Sequence, residues 1–127
     1  MPPPKRTGVI FFAHGSPIES ANEAVREVAR AAARLGAFDL WRAAFLESGV
    51  PDLPTAVAAL RQAGAVRIIV VPYLLALGLH LQRDLPRIVA GLAGIYKDIE
   101  LVCGDPLDGH PALAQILAER AREALTR

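Results

Sequence analysis

Two short, strongly apolar runs constrain the fold of this chain more than any other feature of the sequence. The first covers residues 8–13 (Gly-Val-Ile-Phe-Phe-Ala), and the second covers residues 66–71 (Val-Arg-Ile-Ile-Val-Val). A continuous apolar run of this length is typical of a strand that is covered on both faces, as in a parallel sheet. A segment with helical character follows each run, so the sequence predicts alternating strands and helices.

The same reading along the whole chain gives four strands and four helices. The predicted strands cover residues 9–13, 39–46, 66–71 and 99–103. The predicted helices cover residues 17–35, 55–63 and 81–92, and a last one from about Pro111 to the C-terminus. Gly36 and Gly64 are expected to end the first two helices, and Pro86 is expected near the start of the third or at a kink in it. In the first helix the following apolar residues recur at helical spacing: Ala21, Val25, Val28, Ala32 and Leu35.

This alternation predicts a three-layer α/β fold with a doubly wound parallel sheet and helices on both faces. We expect right-handed crossovers and the strand order 2-1-3-4. Residues 1–7 are interpreted as a flexible N-terminal tail, and residues 8–127 as a single domain, which fits the length of 127 residues.

Composition narrows the range of partners and compartments. The net charge of +1 gives no electrostatic argument for nucleic acid, and no apolar run approaches the roughly 20 residues that span a membrane. The first six residues are too short and too polar for a signal peptide. The chain has one cysteine, so no internal disulfide can form, and we expect a cytoplasmic protein.

Two histidines follow the two apolar runs. His14 comes directly after the first strand, and His80 lies in a Gly-containing loop after the third. In the order 2-1-3-4 these strands are neighbours, and the winding reverses between them, so a crevice opens at their carboxyl ends. Two imidazoles that converge there indicate metal chemistry or proton transfer. Taken singly, His14 could merely cap a strand end, and His80 could be a hydrogen-bonded core residue.

A carboxylate is expected at the same edge of the sheet. Glu47 follows the second strand and could complete a metal site, take up protons or simply cap the next turn. Two imidazoles and one carboxylate suit divalent cobalt, nickel, iron or zinc. The sequence therefore predicts that His14, His80 and Glu47 form a candidate catalytic site for metal chemistry or proton transfer.

Other polar residues near this edge favour structural roles. Ser16 lacks the Gly-x-Ser-x-Gly surroundings of a nucleophile elbow, and we expect it to cap the first helix. His110 is interpreted as a polar residue that leads into the last helix. Cys103 is expected to be buried in the fourth strand, with metal ligation as the less favoured alternative.

A group of charged residues on the third helix has two interpretations. Arg83, Asp84 and Arg87 are typical of a solvated helix face. If they lie near the crevice, the arginines could instead pair with substrate carboxylates. The chain has no Gly-x-Gly-x-x-Gly dinucleotide fingerprint and no Walker loop, and Pro17 disfavours an FMN-phosphate cradle in the first loop.

Four stretches resemble the small CbiX-type sirohydrochlorin chelatases (cobaltochelatases) of the class II chelatases. The resemblance covers nearly the whole chain after residue 7, and residues 71–86 are its most specific part. The stretches are Ala13-His14-Gly15-Ser16, Phe45-Leu46-Glu47 with the proline-containing segment after it, residues 71–86 and residues 106–113. The chain departs from the family pattern at Pro17 and at Tyr73-Leu74, neither of which is a proposed ligand.

The resemblance implies a lyase-type chelatase that inserts cobalt, iron or nickel into sirohydrochlorin or a related tetrapyrrole without ATP, in cobalamin or siroheme biosynthesis. His14 and His80 match the family's metal-handling pair, and Glu47 matches a carboxylate of the same cleft. No prosthetic group is implied, because the metal ion is a substrate. The short chain resembles the family members that form homodimers. Candidate substrate-binding residues are Ser16, Tyr73, Leu77, Gly78 and Arg83.

Two other functions stay open at this point. The first is a metal or tetrapyrrole carrier, which would give at most one equivalent of metallated product per protein. The second is a hydrolase that uses Ser16 and His80, whose activity would survive chelators and would be lost in Ser16→Ala. We expect the chelatase first, the carrier second and the hydrolase last.

Overall fold

The computed structural model describes residues 6–127, which contain four strands and four helices. The strands are β1 (Thr7–Ala13), β2 (Leu40–Phe45), β3 (Arg67–Pro72) and β4 (Glu100–Cys103). The helices are α1 (Glu19–Gly36), α2 (Leu53–Gln62), α3 (Leu79–Ile95) and α4 (Ala112–Ala124). All strand pairs are parallel in the order β2-β1-β3-β4, so the predicted fold class and strand order are confirmed.

The main core lies on one face of the sheet. Strand β1 is central, and its Phe12 is paired with Ala44 of β2 and Pro72 of β3. Side chains alternate between the faces of a strand, so Ile10 and Phe12 point to the same side. There they pack with buried residues of α2 and α3, which cover this face. The core residues from these two helices are Leu53, Ala56, Val57, Leu60, Leu85, Val89 and Leu92.

The other face is covered less completely. Helix α1 packs there against β1 and β2 through Ala29 and Ala33, which are buried. Helix α4 follows His110-Pro111, as predicted, but none of its residues is buried. No helix within residues 6–127 is long and apolar enough to cross a membrane.

The structure corrects two boundaries of the sequence prediction, the end of the N-terminal tail and the start of the third helix. Thr7 belongs to β1 and is buried, and the Arg6 carbonyl accepts a hydrogen bond from the Val66 N–H, so the predicted tail is too long. Residues 1–5 of that tail lie outside the described residues. Helix α3 starts at Leu79, so His80 lies in its first turn and not in a loop. The reason is that Gly78 adopts an extended N-cap conformation, and its carbonyl accepts the first helical hydrogen bond, from the Gln82 N–H.

The buried face of α1 also differs from the apolar pattern in the sequence. Its buried residues are Asn22, Ala29 and Ala33, whereas Leu35 is 90% exposed. Gly36 is the last helical residue, and the left-handed turn that ends the helix falls on Ala37 (φ 56°). The small residue at Gly36 has another use, because a Cβ there would collide with the Phe38 ring.

Candidate active site at the carboxyl edge of the sheet

The backbone pairing of β1 and β2 continues beyond the ends of the strands. The Leu46 N–H donates to the Ala13 carbonyl (2.9 Å), and the Glu47 N–H donates to the His14 carbonyl (3.0 Å). These bonds place His14 and Glu47 side by side at the carboxyl edge of the sheet. The structure thus brings together two of the three side chains that the sequence placed at this edge.

The two side chains face each other across a short gap. His14 Nε2 and Glu47 Oε1 are 3.7 Å apart, and the side chains are 54% and 64% exposed. Two ligand atoms that each lie about 2.1 Å from one tetrahedral metal ion are about 3.4 Å apart. The observed gap is therefore close to the spacing that a shared divalent cation would require.

A second contact of His14 favours one tautomer of its ring. His14 Nδ1 lies 3.3 Å from the Gly15 carbonyl oxygen. A carbonyl oxygen can only accept a hydrogen bond, so this contact favours the proton on Nδ1. The lone pair on Nε2 then points towards Glu47 and is available to a metal ion or a proton.

Gly15 is the residue that allows the two loops to approach so closely. Its φ of +92° is a conformation that residues with a side chain rarely adopt. A Cβ at this position would also collide with the Glu47 carbonyl oxygen. The His-Gly-Ser sequence is therefore needed for backbone geometry as well as for the imidazole.

Asn22 of α1 fastens the same two loops together. Its Oδ1 accepts from the Ser16 N–H (2.9 Å), and its Nδ2 donates to the carbonyls of Ser16 (2.8 Å) and Ser48 (2.9 Å). Arg26, one turn further along α1, donates to the Val50 carbonyl (3.0 Å), and its guanidinium lies 5.2 Å from the centre of the Phe45 ring. Sequence reasoning missed both residues, since a polar residue on a helix is typical of a solvated position.

Two residues near the site have local structural roles. The N-cap of α1 is Ile18, so the prediction that Ser16 is the N-cap is wrong; instead the Ser16 hydroxyl accepts from the Ile18 N–H (3.1 Å) and closes the preceding turn. His110 Nδ1 accepts from the Ala112 N–H (3.0 Å) at the start of α4, which agrees with its structural interpretation.

The second half of the edge is formed by the segments after β3 and β4. The Tyr73 N–H donates to the Phe12 carbonyl, and the Leu107 N–H donates to the Leu74 carbonyl (2.9 Å). His80 follows this segment, on the exposed first turn of α3. Among the substrate-binding candidates here, Tyr73 and Leu77 are half-buried, and Gly78 and Arg83 are exposed. The remaining charged candidates, Asp84 and Arg87, lie on a solvated helix face.

The prediction that Cys103 is buried is wrong. Its side chain is exposed at the end of β4, because this strand is short and lies at the edge of the sheet. Partial loss of hydration, followed by the nearby Asp105 carboxylate, raises the pKa of the Cys103 thiol above its usual value. A raised thiol pKa disfavours the thiolate that binds metals.

No group of three or more His, Cys, Asp or Glu side chains within residues 6–127 is arranged to hold a metal ion. The pair that is in contact is His14 with Glu47, so a set of three ligands with His80 is not assembled in this conformation. A cavity of about 260 Å³ lies on the α2 and α3 side of the sheet, and its lining includes Leu46, the residue before Glu47. Its lining is mainly apolar and consists of Phe12, Phe45, Leu46, Asp52, Leu53, Pro54 and Ile88.

Comparison with known sequences identifies the family. The CbiX family model matches residues 8–124. A sirohydrochlorin cobaltochelatase of Saccharolobus islandicus (strain L.S.2.15 / Lassen #1) is 33% identical over 127 residues, with 94% of this chain and 97% of the relative covered. A sirohydrochlorin cobaltochelatase of Methanosarcina acetivorans is 30% identical over 128 residues, with 95% and 98% covered.

Comparison with solved structures supports the same family. A cobalamin (vitamin B12) biosynthesis CbiX protein from Marinobacter aquaeolei VT8 matches with a TM-score of 0.84 and 26% identity, covering 95% of this chain and 98% of that chain. The sirohydrochlorin chelatase SirB from Bacillus subtilis subspecies spizizenii, in complex with cobalt, matches with a TM-score of 0.73 and 27% identity. That match covers 79% of this chain but 43% of the SirB chain. The chain described here therefore belongs to the CbiX family of metal chelatases, as its sequence motifs predicted.

Proposed function

We propose that this protein inserts a divalent metal ion, with cobalt as the first candidate, into sirohydrochlorin without ATP. The observation that carries the proposal is the His14–Glu47 pair, which lies at the carboxyl edge of a CbiX fold with a 3.7 Å gap between Nε2 and Oε1. Open α/β sheets bind their ligands at this edge. Relatives named sirohydrochlorin cobaltochelatase support this choice of substrate and metal.

Metal insertion requires a base that can release the proton it has accepted and a metal ligand that can release the ion. Insertion removes water from the ion and two N–H protons from the macrocycle. His14 presents the metal through Nε2. Glu47 shares the ion or accepts a pyrrole proton, and the pyrrole protons that Glu47 does not take pass to His80 or to water. His80 supplies the second imidazole from the first turn of α3. Because both His14 and Glu47 are more than half exposed, protons and the product can leave to solvent.

The macrocycle needs a flat apolar surface beside these groups. The segment after β3 offers one, since Leu75 and Leu79 are 66% and 76% exposed. Tyr73, Leu77 and Gly78 belong to the same segment, and we propose that they contact the ring. Arg83 lies on the exposed side of α3 and can pair with a peripheral carboxylate. Ser16, in the loop after β1, is the remaining proposed substrate contact.

The choice among metals follows from the donor set. An imidazole nitrogen and a carboxylate oxygen accept several divalent ions, so the site alone favours no single one. Solved SirB structures are described with cobalt and with Fe3+. We propose cobalt first because of the relatives' names, with iron and nickel as further substrates in a cobalamin or siroheme pathway.

An absorbance assay tests this function directly. Sirohydrochlorin is mixed with cobalt, iron or nickel, with and without protein, and metallated product is followed over many equivalents. We expect multiple turnovers with cobalt, whereas a carrier would stop at one equivalent per protein. Ester cleavage that resists chelators and is lost in Ser16→Ala would instead support the hydrolase.

A matched pair of variants tests whether insertion depends on His14 itself or is lowered by the loss of any histidine. His14→Ala should abolish rapid insertion. His110→Asn should not, because the amide can still accept from the Ala112 N–H at the start of α4. Near-normal rates in His14→Ala would contradict the proposed site.

We also propose that the protein acts as a homodimer. An apolar cavity of about 400 Å³ lies between α1, α4 and the sheet, where it is lined by Phe11, Val28, Ala29, Ala32, Val71, Pro72, Tyr73, Leu107 and Ile116. Helix α4 has no buried residue, and its Ile116 and Leu117 are exposed. Apolar patches of this kind are typical of protein interfaces. A second copy would cover this surface.

Sedimentation measures the oligomeric state. We expect a dimer for the native chain and a monomer for Ile116→Glu, because a carboxylate would be buried against the apolar cavity. Leu125→Glu is the control, since Leu125 is exposed beyond the end of α4 and does not line the cavity. Dimers in both variants would show that the interface lies elsewhere, and a monomeric native chain would overturn the homodimer.

The proposed compartment is the cytoplasm. The single cysteine, Cys103, is exposed as a thiol, and a reducing compartment preserves it in that form. Fractionation of cells that produce the protein tests this placement, with the soluble cytoplasmic fraction as the expected location.

A further inference from the structure

We propose that Asn22 is a positioning residue that sets the spacing between His14 and Glu47. The inference rests on the proposed chelatase function, because it concerns the geometry of that site. Asn22 itself is 1% exposed, and its hydrogen bonds go to Ser16, Ser48 and Glu19 rather than to the side chains of the pair. It acts through the backbone of the two loops that carry them.

The side-chain amide of Asn22 is fully used. Its oxygen accepts from the Ser16 N–H, and its nitrogen donates to the Ser16 and Ser48 carbonyls at 2.8 and 2.9 Å. A longer contact of 3.3 Å reaches Glu19 Oε2. A buried amide with all its groups paired fixes its partners in one arrangement, since any shift would leave a polar group without a partner.

The loop segments that Asn22 binds lie close to the reacting groups. Ser16 is two residues beyond His14, and Ser48 directly follows Glu47. Ser48 has a φ of 56°, in the left-handed region that costs free energy for a residue with a side chain. The bond from Asn22 to the Ser48 carbonyl helps to hold this conformation and so directs the chain at Glu47.

We call the hydrogen bonds from Asn22 to Ser16 and Ser48 the clip. Helix α1 is its rigid base. Asn22 lies in its first turns, and Ala29 and Ala33 anchor the same face of the helix to the sheet. Arg26 holds the Val50 carbonyl from this helix as well. The loop after β2 is thus fixed to α1 at two points, and the point nearer to Glu47 is Asn22.

A double-mutant cycle tests whether Asn22 acts through Glu47. We expect Asn22→Ala to lower kcat/KM for cobalt insertion about 10- to 100-fold, the usual effect of losing a residue that orients a metal ligand. In a Glu47→Gln background the same substitution should lower kcat/KM by less than about threefold, because the spacing between His14 and a carboxylate no longer matters. Equal losses in both backgrounds would overturn the proposal.

Two further variants guard against a general loss of stability. Ala31→Gly weakens α1 at an exposed position that does not anchor the helix to the sheet, so it should leave kcat/KM within about twofold of the native value. Asn22→Asp keeps the acceptor for the Ser16 N–H but loses both donors, so it should reproduce most of the loss while the protein stays folded. Full activity in folded Asn22→Asp would overturn the role of the two carbonyl contacts.

Hydrogen exchange separates this proposal from the chelatase function. The Glu47 N–H donates to the His14 carbonyl, so its exchange reports the pairing of the two loops without any turnover. Asn22→Asp should speed this exchange at least about tenfold more than Ala31→Gly does. An equal effect in both variants would overturn the clip, whereas a native protein that inserts no metal would overturn only the function.

Discussion

The two halves of the carboxyl edge are built in different ways. Backbone hydrogen bonds continue beyond the strands in both halves, but in the half formed by β1 and β2 Gly15 also lets the loops touch, and buried Asn22 ties them together. In the half formed by β3 and β4, Leu75 of the segment before α3 and Leu79, the first residue of α3, are exposed. The first half holds a polar pair in place, and the second presents apolar surface.

This difference suits two tasks with different requirements. A metal ion needs ligands at fixed separations, which a rigid pair of loops provides before the ion arrives. A flat macrocycle, or a second copy of the chain, needs apolar area that stays uncovered until it binds. The first half should therefore respond sharply to small changes in the backbone, and the second half should tolerate them.

Two glycine substitutions test this contrast with the largest expected effects. Gly15→Ala should abolish insertion and destabilise the protein by several kcal/mol, because its Cβ would collide with the Glu47 carbonyl oxygen at a φ of +92°. Gly78→Ala should change stability by less than about 1 kcal/mol, because a Cβ there meets nothing within 4 Å and the poorer N-cap preference of Ala is offset by its smaller freedom in the unfolded chain. Denaturant unfolding and the insertion assay measure both. Equal destabilisation in the two variants would end the contrast.

The two histidines should respond differently to the loss of Glu47. His14→Ala and His80→Ala should each lower kcat/KM for insertion about 100-fold or more, with little effect on stability because both side chains are exposed. Adding Glu47→Gln to His14→Ala should lower kcat/KM little further, because Glu47 faces His14 across the 3.7 Å gap. On top of His80→Ala, Glu47→Gln should lower kcat/KM by the same factor as it does in the native protein. Full additivity with both histidines would contradict a preformed His14–Glu47 pair.

The sequence was sufficient to predict the sheet and the proximity of His14 and Glu47 at its carboxyl edge. Two continuous apolar runs define β1 and β3, and the strand order brings His14 and Glu47 to neighbouring positions without any knowledge of loop structure. His80 was placed in a loop because Gly78 and Pro86 both indicate irregular structure locally. The structure instead uses Gly78 as an N-cap and accommodates Pro86 inside α3.

The residues that were missed depend on contacts between segments far apart in the chain. Asn22 interrupts the apolar pattern of α1, so a one-dimensional pattern places it in solvent, yet its partner Ser48 lies 26 residues away. The prediction that Cys103 is buried was wrong for a similar reason. The sequence does not show how short β4 is or that α4 leaves this side of the sheet uncovered. Such contacts follow from the assembled fold alone.

The helix N-termini at the edge extend the comparison to smaller effects. In the first half, the carboxylate of Asp52 caps α2 by accepting from the Thr55 N–H (2.9 Å). We expect Asp52→Ala to cost about 1 kcal/mol, the usual price of losing an N-cap. A thermal melt at neutral pH measures the loss, with the exposed Asp84→Ala as a control that should change little.

The Asp52 cap should also depend on pH. Hydrogen bonds from Thr55 lower the pKa of the Asp52 carboxyl below its ordinary value of 3.8. A lowered pKa means that the stabilisation is present above pH 3.8 and is lost as the pH falls through the folded-state value. The difference in stability between the native protein and Asp52→Ala should therefore shrink below pH 3.8. A difference that grows on acidification would contradict this role.

The smallest predicted effect concerns the corresponding position in the second half. Gly78 is the N-cap of α3 and provides no side-chain hydrogen bond. Its backbone, with φ −66° and ψ 168°, is one that any residue can adopt. Gly78→Ser should therefore raise the free energy of unfolding by a few tenths of a kcal/mol, because the hydroxyl can accept from an N–H of the first turn. A melting temperature about 1–2 °C higher would show this, and a lower one would mean that this segment is as constrained as the loop at Gly15.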